Sequence, residues 1–333
     1  MRLELARLFA ALCAFGIAFG VAAADLEPVR IGLAPQASSG PLYIAVAEGY
    51  FQAEGLDPQL RFFDSDAKIP AAAASDKLDF GVARLTASFY SYAANHGIKL
   101  LASQVSDQTG FPVYALLISK KAHDAGFRSV NDLSHKRIGM ATADSGAHYS
   151  LVSVATRFKV DPDNMKLSWL QTPAREISAL SRGDIDAAVL PYVTALQSAR
   201  RGDTLLRLSD FALSQQGVVF TSGQTIQAKR SLVEKFMRAY QRGTAEYHLN
   251  FLQYDDAGDF IPGPHYAEYL ALIARQAHVS PGVLAVTKTY CDRLANLDAA
   301  DIDRQVRFWQ REGRLDKRVA AADLLDLSFI GAR

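Results

Sequence analysis

The stretch "DFGVARLTASF", residues 79–89, sets an arginine where a short apolar strand meets a helix. Asp79 to Val82 reads as the strand, and Leu85, Phe89 and Tyr92 recur at helical spacing. A helix start carries partial positive charge, so a cation there needs something negative to meet it. A guanidinium among free N–H groups can hold a carboxylate or sulfonate through two hydrogen bonds. Arg84 can equally form a structural bridge with Asp64, Asp66 or Asp144. On the residues alone, both readings stand.

Other polar groups fall at similar junctions. "ADSGAHYS" (143–150) offers Ser145, the Gly146 N–H and His148 at a helix start, where they either contact a ligand or cap the helix. "QASSG" (36–40) offers Gln36, Ser38 and Ser39, as contacts or as an ordinary loop. Tyr43, Tyr90 and Tyr192 can wall an aromatic ligand or fill the core. Pro173 also lies between a strand and a helix. The ligand-contacting candidates are Gln36, Ser38, Ser39, Tyr43, Asp64, Arg84, Ser145, His148, Pro173 and Tyr192.

Other chemistry finds no motif. G-x-G-x-x-G, G-x-x-x-x-G-K-[ST], G-x-S-x-G and H-E-x-x-H are all missing. No two of the seven histidines stand four apart on a helix, so no metal site is expected. No catalytic residue and no cofactor are assigned.

These junctions need strands and helices in alternation, and from residue 28 to about 208 the sequence provides them. Strands are expected at 28–34, 58–64, 78–83, 113–119, 137–142, 166–171 and 186–191, with helices between. That order predicts parallel sheets covered by helices. From about 228 the pattern turns helical, interrupted by a loop at "YDDAGDFIPGP" (254–264). Cys291 is read as a small buried residue in a helical stretch.

The N-terminus reads as a leader. Arg2 and Arg7 precede the apolar run 8–21, and Ala22-Ala23-Ala24 fits a cleavage site before Asp25. Its loss leaves 34 basic against 34 acidic residues and one cysteine. A neutral chain argues against nucleic acid or an anionic membrane as partner. An intramolecular disulfide is ruled out, and a chain of this length usually forms two domains.

The order of these segments resembles the periplasmic solute-binding proteins of ABC transporters for nitrate, sulfonate and taurine, the NMT1/THI5-like family. The resemblance rests on "IGLAPQASSGPLYIAVAEGYFQAEGLDPQL", "IPAAAASDKLDFGVA", "GIKLLAS", "SVNDLSHKRIGMATADSGAHYSL" and "SALSRGDIDAAVLPY", and covers about residues 28–250. It implies an α/β fold of two lobes (type II periplasmic-binding-protein fold), each a mostly parallel sheet under helices, with a helical C-terminal region. Lobe 1 is expected at 25–112 and 216–333, lobe 2 at 113–215, with ligand held between them. The family usually has a small residue where Arg84 stands. The implied role is an exported, monomeric binding protein in the periplasm that delivers a small organic anion to a membrane permease and catalyses nothing. The alternatives are a binder of a pyrimidine thiamine precursor, or a precursor-synthesising enzyme of the same fold.

Overall fold

The computed structural model describes residues 26–330. The expected leader and its cleavage site lie outside the described residues. Ten strands form two mixed sheets under helices. The first holds β1 (Glu27–Leu33), β2 (Leu56–Phe62), β3 (Phe80–Arg84), β4 (Ile98–Ser106) and β10 (Gln215–Ser222), ordered β2-β1-β3-β10-β4. The second holds β5 (Tyr114–Ile118), β6 (Arg137–Met140), β7 (Lys166–Trp169), β8 (Ala187–Pro191) and β9 (Thr204–Arg207), ordered β7-β6-β8-β5-β9.

In each sheet three strands pair in parallel, as βαβ connections require. In each sheet one strand runs against the rest, β10 pairing antiparallel with β3 and β4, and β5 with β8 and β9. The chain leaves the first sheet through residues 107–113 and returns through 208–214. β10 is buried along its whole length between β3 and β4, so the returning strand lies inside the first sheet.

The C-terminal region is helical, chiefly Arg230–Phe251, Tyr266–Gln276 and Ala299–Arg311. The first of these packs on helix Gly40–Ala47, and its Phe236 stacks on Phe80 at 3.7 Å between centroids. The loop expected at 254–264 contains a small hairpin, β11 (Gln253–Tyr254) with β12 (Phe260–Ile261). The helical expectation around Cys291 is not met. Tyr290 and Ala295 accept main-chain hydrogen bonds from Ser106 and Ser103, so this segment runs extended along the free edge of β4. Pairing with an open strand edge satisfies backbone groups as well as a helix would. Cys291 itself is buried.

Helix Ala299–Arg311 reaches both halves of the molecule. Asp301 accepts from Tyr149 Oη at 2.6 Å and from the Gln215 N–H at 2.7 Å. Gln305 donates to the Gln215 carbonyl at 2.7 Å and accepts from Tyr90 Oη at 3.1 Å. No helix among the described residues is long and apolar enough to cross a membrane.

Candidate functional site

Arg84 is the last residue of β3, and the following helix begins only at Ala87. It is therefore not in a helical first turn. Thr86 Oγ1 caps that helix by accepting from the Phe89 N–H at 3.0 Å. Arg84 ends a strand in the centre of the first sheet, where the chain faces the second half of the molecule.

Its contacts form a closed ring. Arg84 Nε donates to Gln36 Oε1 at 3.1 Å, and Gln36 Nε2 donates to Asp66 Oδ1 at 2.8 Å. Asp66 Oδ2 accepts from the main-chain N–H of Arg84 at 3.1 Å. None of the three carboxylates expected to bridge the guanidinium does so. Asp64 is exposed and pairs with Lys68 at 2.9 Å. Asp144 accepts from Ser88 Oγ at 2.7 Å, and its carbonyl from the Ala87 N–H at 3.0 Å. Among the described residues, no acidic group forms an ion pair with the partly buried Arg84.

Groups from the chain crossings and the second half meet this cation. Burial raises the Tyr114 hydroxyl's pKa, while Arg84 acts against that by charge and hydrogen bond. Asp107, fully buried, is pushed up to about 6 by desolvation. Hydrogen bonds from the Val113 N–H, Ser214 Oγ and Gln216 Nε2, each at 2.8 Å, and the charge of Arg84 work the other way. Gly146 opens helix Gly146–Arg157 against Gln216. A Cβ at Gly146 would stand 2.4 Å from Gln216 Oε1 and 3.4 Å from Tyr114 Oη, so any side chain here would push the Gln216 amide aside. Arg84, Tyr114, Gln216 and Gly146 thus mark where the halves converge.

A second polar wall lies beside the first. Ser38 and Ser39 are buried and accept from Gln104 Nε2 at 3.2 and 3.1 Å. Burial pushes the Tyr43 hydroxyl up to about 12, partly offset by the Gln36 backbone and Ser39 nearby. Neither of those groups reaches hydrogen-bonding geometry with it, so Tyr43 Oη has no partner.

The remaining candidates scatter. Ser145 Oγ donates to the Thr142 carbonyl at 2.8 Å, a bond within its own loop. The His148 ring, with Nδ1 2.8 Å from the Ala143 carbonyl, lies among Trp169, Phe308 and Trp309, and burial lowers its pKa. Its aromatic neighbours make it a packing residue between two helices. Pro173 occupies the first turn of helix Pro173–Arg182. Tyr192 packs on the small core under the second sheet, as Tyr90 does under the first. The structure therefore gathers Gln36, Ser38, Ser39, Tyr43 and Arg84, and leaves Asp64, His148, Pro173 and Tyr192 outside that group.

Sequence reasoning missed Gln104, Asp107, Tyr114 and Gln216. A signal was present: Gln104 interrupts the apolar strand "IKLLASQVS", and "QQGVVFTS" opens with two glutamines that are both buried. Two surface hollows of about 480 Å³ are lined by Arg61, Lys68 and Leu78 and by Ser88, Asp144 and Arg314; neither includes Arg84. No cluster of metal-ligating side chains occurs among the described residues.

Two α/β halves joined by two crossings, with polar strand ends facing across the junction, define the periplasmic-binding-protein fold. A family model described as NMT1/THI5 like matches residues 36–250, well over half of the chain, and the chain belongs to that family. No curated protein matches it by sequence. Among solved structures, the alkanesulfonate-binding protein SsuA from Xanthomonas axonopodis pv. citri, bound to MOPS, aligns with a TM-score of 0.63 at 18% identity, over 92% of this chain and 100% of its own. The periplasmic aliphatic sulphonate binding protein SsuA from Escherichia coli aligns with a TM-score of 0.69 at 15% identity, over 90% and 91%. The desulfurization enzyme DSZB aligns with a TM-score of 0.60 at 13% identity, over 91% and 97%. At such identities these likenesses define the fold, which binding proteins and an enzyme both use.

Proposed function

We propose that this protein is the exported solute-binding component of an ABC importer and closes its lobes on a small organic anion of the sulfonate or carboxylate type. The observation that carries this reading is Arg84. A partly buried guanidinium ends a central strand at the junction of the halves, held at Nε by Gln36 and, among the described residues, paired with no carboxylate. Leaving such a charge without a counter-ion is costly, and an anionic ligand supplies one.

In this reading residues 25–112 and 216–333 form lobe 1 and residues 113–215 form lobe 2. The leader is cleaved near Ala24, and the mature monomer works in the periplasm and docks transiently on a membrane permease. Cysteine chemistry gains no support from Cys291, whose thiol is buried and raised well above its usual range by desolvation. A thermal-shift screen tests the reading. A ligand at 100 times its dissociation constant should stabilise the protein by about 2.7 kcal/mol. Sulfonates or carboxylates should do so, and stabilisation by uncharged pyrimidines alone would overturn the reading.

A further inference from the structure

We propose that the ligand carries an N–H or O–H donor beside its anionic group, and that Gln104 Oε1 accepts from it. The inference rests on the anion reading of Arg84.

Gln104 lies in β4 and is 1% exposed. Its amide nitrogen is engaged by Ser38 and Ser39, whereas Oε1 is buried with no partner. Such an acceptor costs free energy until a donor reaches it. Register places it in the site. Gly217 pairs directly with Arg84 across β10 and β3, and directly opposed residues present their side chains to the same face. A Cβ on Gly217 would stand 2.3 Å from Gln104 Oε1. The side chain of Gln104 therefore occupies the space that glycine leaves, on the face where Arg84 projects. A cation on that face favours the amide oxygen there over the amide nitrogen, which fixes the orientation of the amide.

This polar wall thus offers a cation and, two strands over across β10, an unmet acceptor. A plain alkane anion satisfies only the first. A hydroxy- or amino-substituted sulfonate or carboxylate satisfies both. The buried Tyr43 hydroxyl, also unpartnered, is a further polar atom on the helix that follows the Ser38–Ser39 turn.

The test is titration calorimetry on the full chain with matched probes. These are 2-hydroxyethanesulfonate and 2-aminoethanesulfonate against ethanesulfonate, and 2-hydroxypropanoate against propanoate. The parent should bind a donor-bearing probe about tenfold or more tighter than its plain counterpart. Gln104→Leu should bring the affinity ratio within each pair close to one; leucine also removes the Nε2 donor held by Ser38 and Ser39, so that ratio and not the absolute affinity is the readout. Equal binding within every pair by the parent overturns the donor, while leaving the anion reading intact. Equal loss across all probes in Gln104→Leu also overturns it, since the residue would then merely shape the loop. If no probe binds the parent, the anion reading fails and this inference fails with it. The parent's own preference decides the matter even if the variant does not fold.

Discussion

Asp66 holds the backbone N–H of Arg84 and leaves its guanidinium alone. The carboxylate therefore fixes where the strand ends without neutralising the side chain that projects from it. Gln36 holds that side chain at Nε and the Tyr114 hydroxyl lies against it, which leaves further guanidinium donors for a ligand.

Arg84→Ala follows directly. It removes a charge-assisted contact and should weaken anion binding by roughly 2–5 kcal/mol. Arg84→Lys should restore only part, because an ammonium lacks the planar fork. Without an ion pair to lose, the melting temperature of the unliganded protein should barely move. Calorimetry and melting curves on both variants check this. Normal affinity with a lowered melting temperature would make Arg84 structural.

Much of the fold could be read from the sequence. β3 and β8 are short apolar runs between turn residues, and long amphipathic patterns marked helices such as Ala299–Arg311. The type of Arg84 and its place near a strand end were also legible. What stood around it was not. Asp64 and Asp66 are two residues apart and chemically identical, yet one is solvated beside Lys68 and the other reaches back to Arg84. Only tertiary placement separates them. Gln104 and Gln216 stand in strand segments, and periodicity reports faces but says nothing of what lies opposite. His148 sat at a helix start as a ligand contact would, but its aromatic neighbours come from residues 169 and 308–309, beyond any local pattern.

Asp301 should be the costliest of the buried polar residues to remove. Its carboxylate takes hydrogen bonds from Tyr149, Gln215 and Gln305, joining the C-terminal helix to both halves. Asp301→Ala would orphan a buried N–H and a buried hydroxyl, at about 1–3 kcal/mol each. Urea unfolding should show a loss of roughly 2–4 kcal/mol, with Asp301→Asn milder. A loss below about 0.5 kcal/mol, the level of an ordinary surface change, would show that the helix is held by its apolar face alone.

Glu176 gives a pH dependence of unusual sign. Both carboxyl oxygens are buried without partners, and desolvation pushes its pKa up to about 8 from an ordinary value near 4. The folded protein thus holds this proton over a window where the unfolded chain has lost it. Stability from this group is complete below about pH 4 and is lost as pH rises through 8. Glu176→Gln should flatten that part of the stability profile, with the largest gain over the parent above pH 8. Parallel profiles for the two proteins between pH 5 and 9 would sink the idea.

The last prediction concerns closure. Asp144 follows β6, and Ser88 lies in the first turn of helix Ala87–His96, which follows β3. The Ser88 hydroxyl donates to the Asp144 carboxylate, and the Ala87 N–H donates to the Asp144 carbonyl. A carboxylate is also favoured at that helix start. Opening the cleft must break both hydrogen bonds, each contributing roughly 0.5–1.5 kcal/mol. Asp144→Ala keeps the main-chain contact and loses the side-chain one, so the closed form should be less populated without ligand. Small-angle scattering should then give a larger radius of gyration for the unliganded variant than for the parent. Ligand should bind up to about tenfold more weakly, because some of its binding energy must now close the lobes. In the proposed closed form the ligand contacts both lobes, so the liganded proteins should scatter alike. If the unliganded radii coincide and affinity is unchanged, the Ser88–Asp144 contact does not hold the cleft shut, and closure depends on the ligand alone.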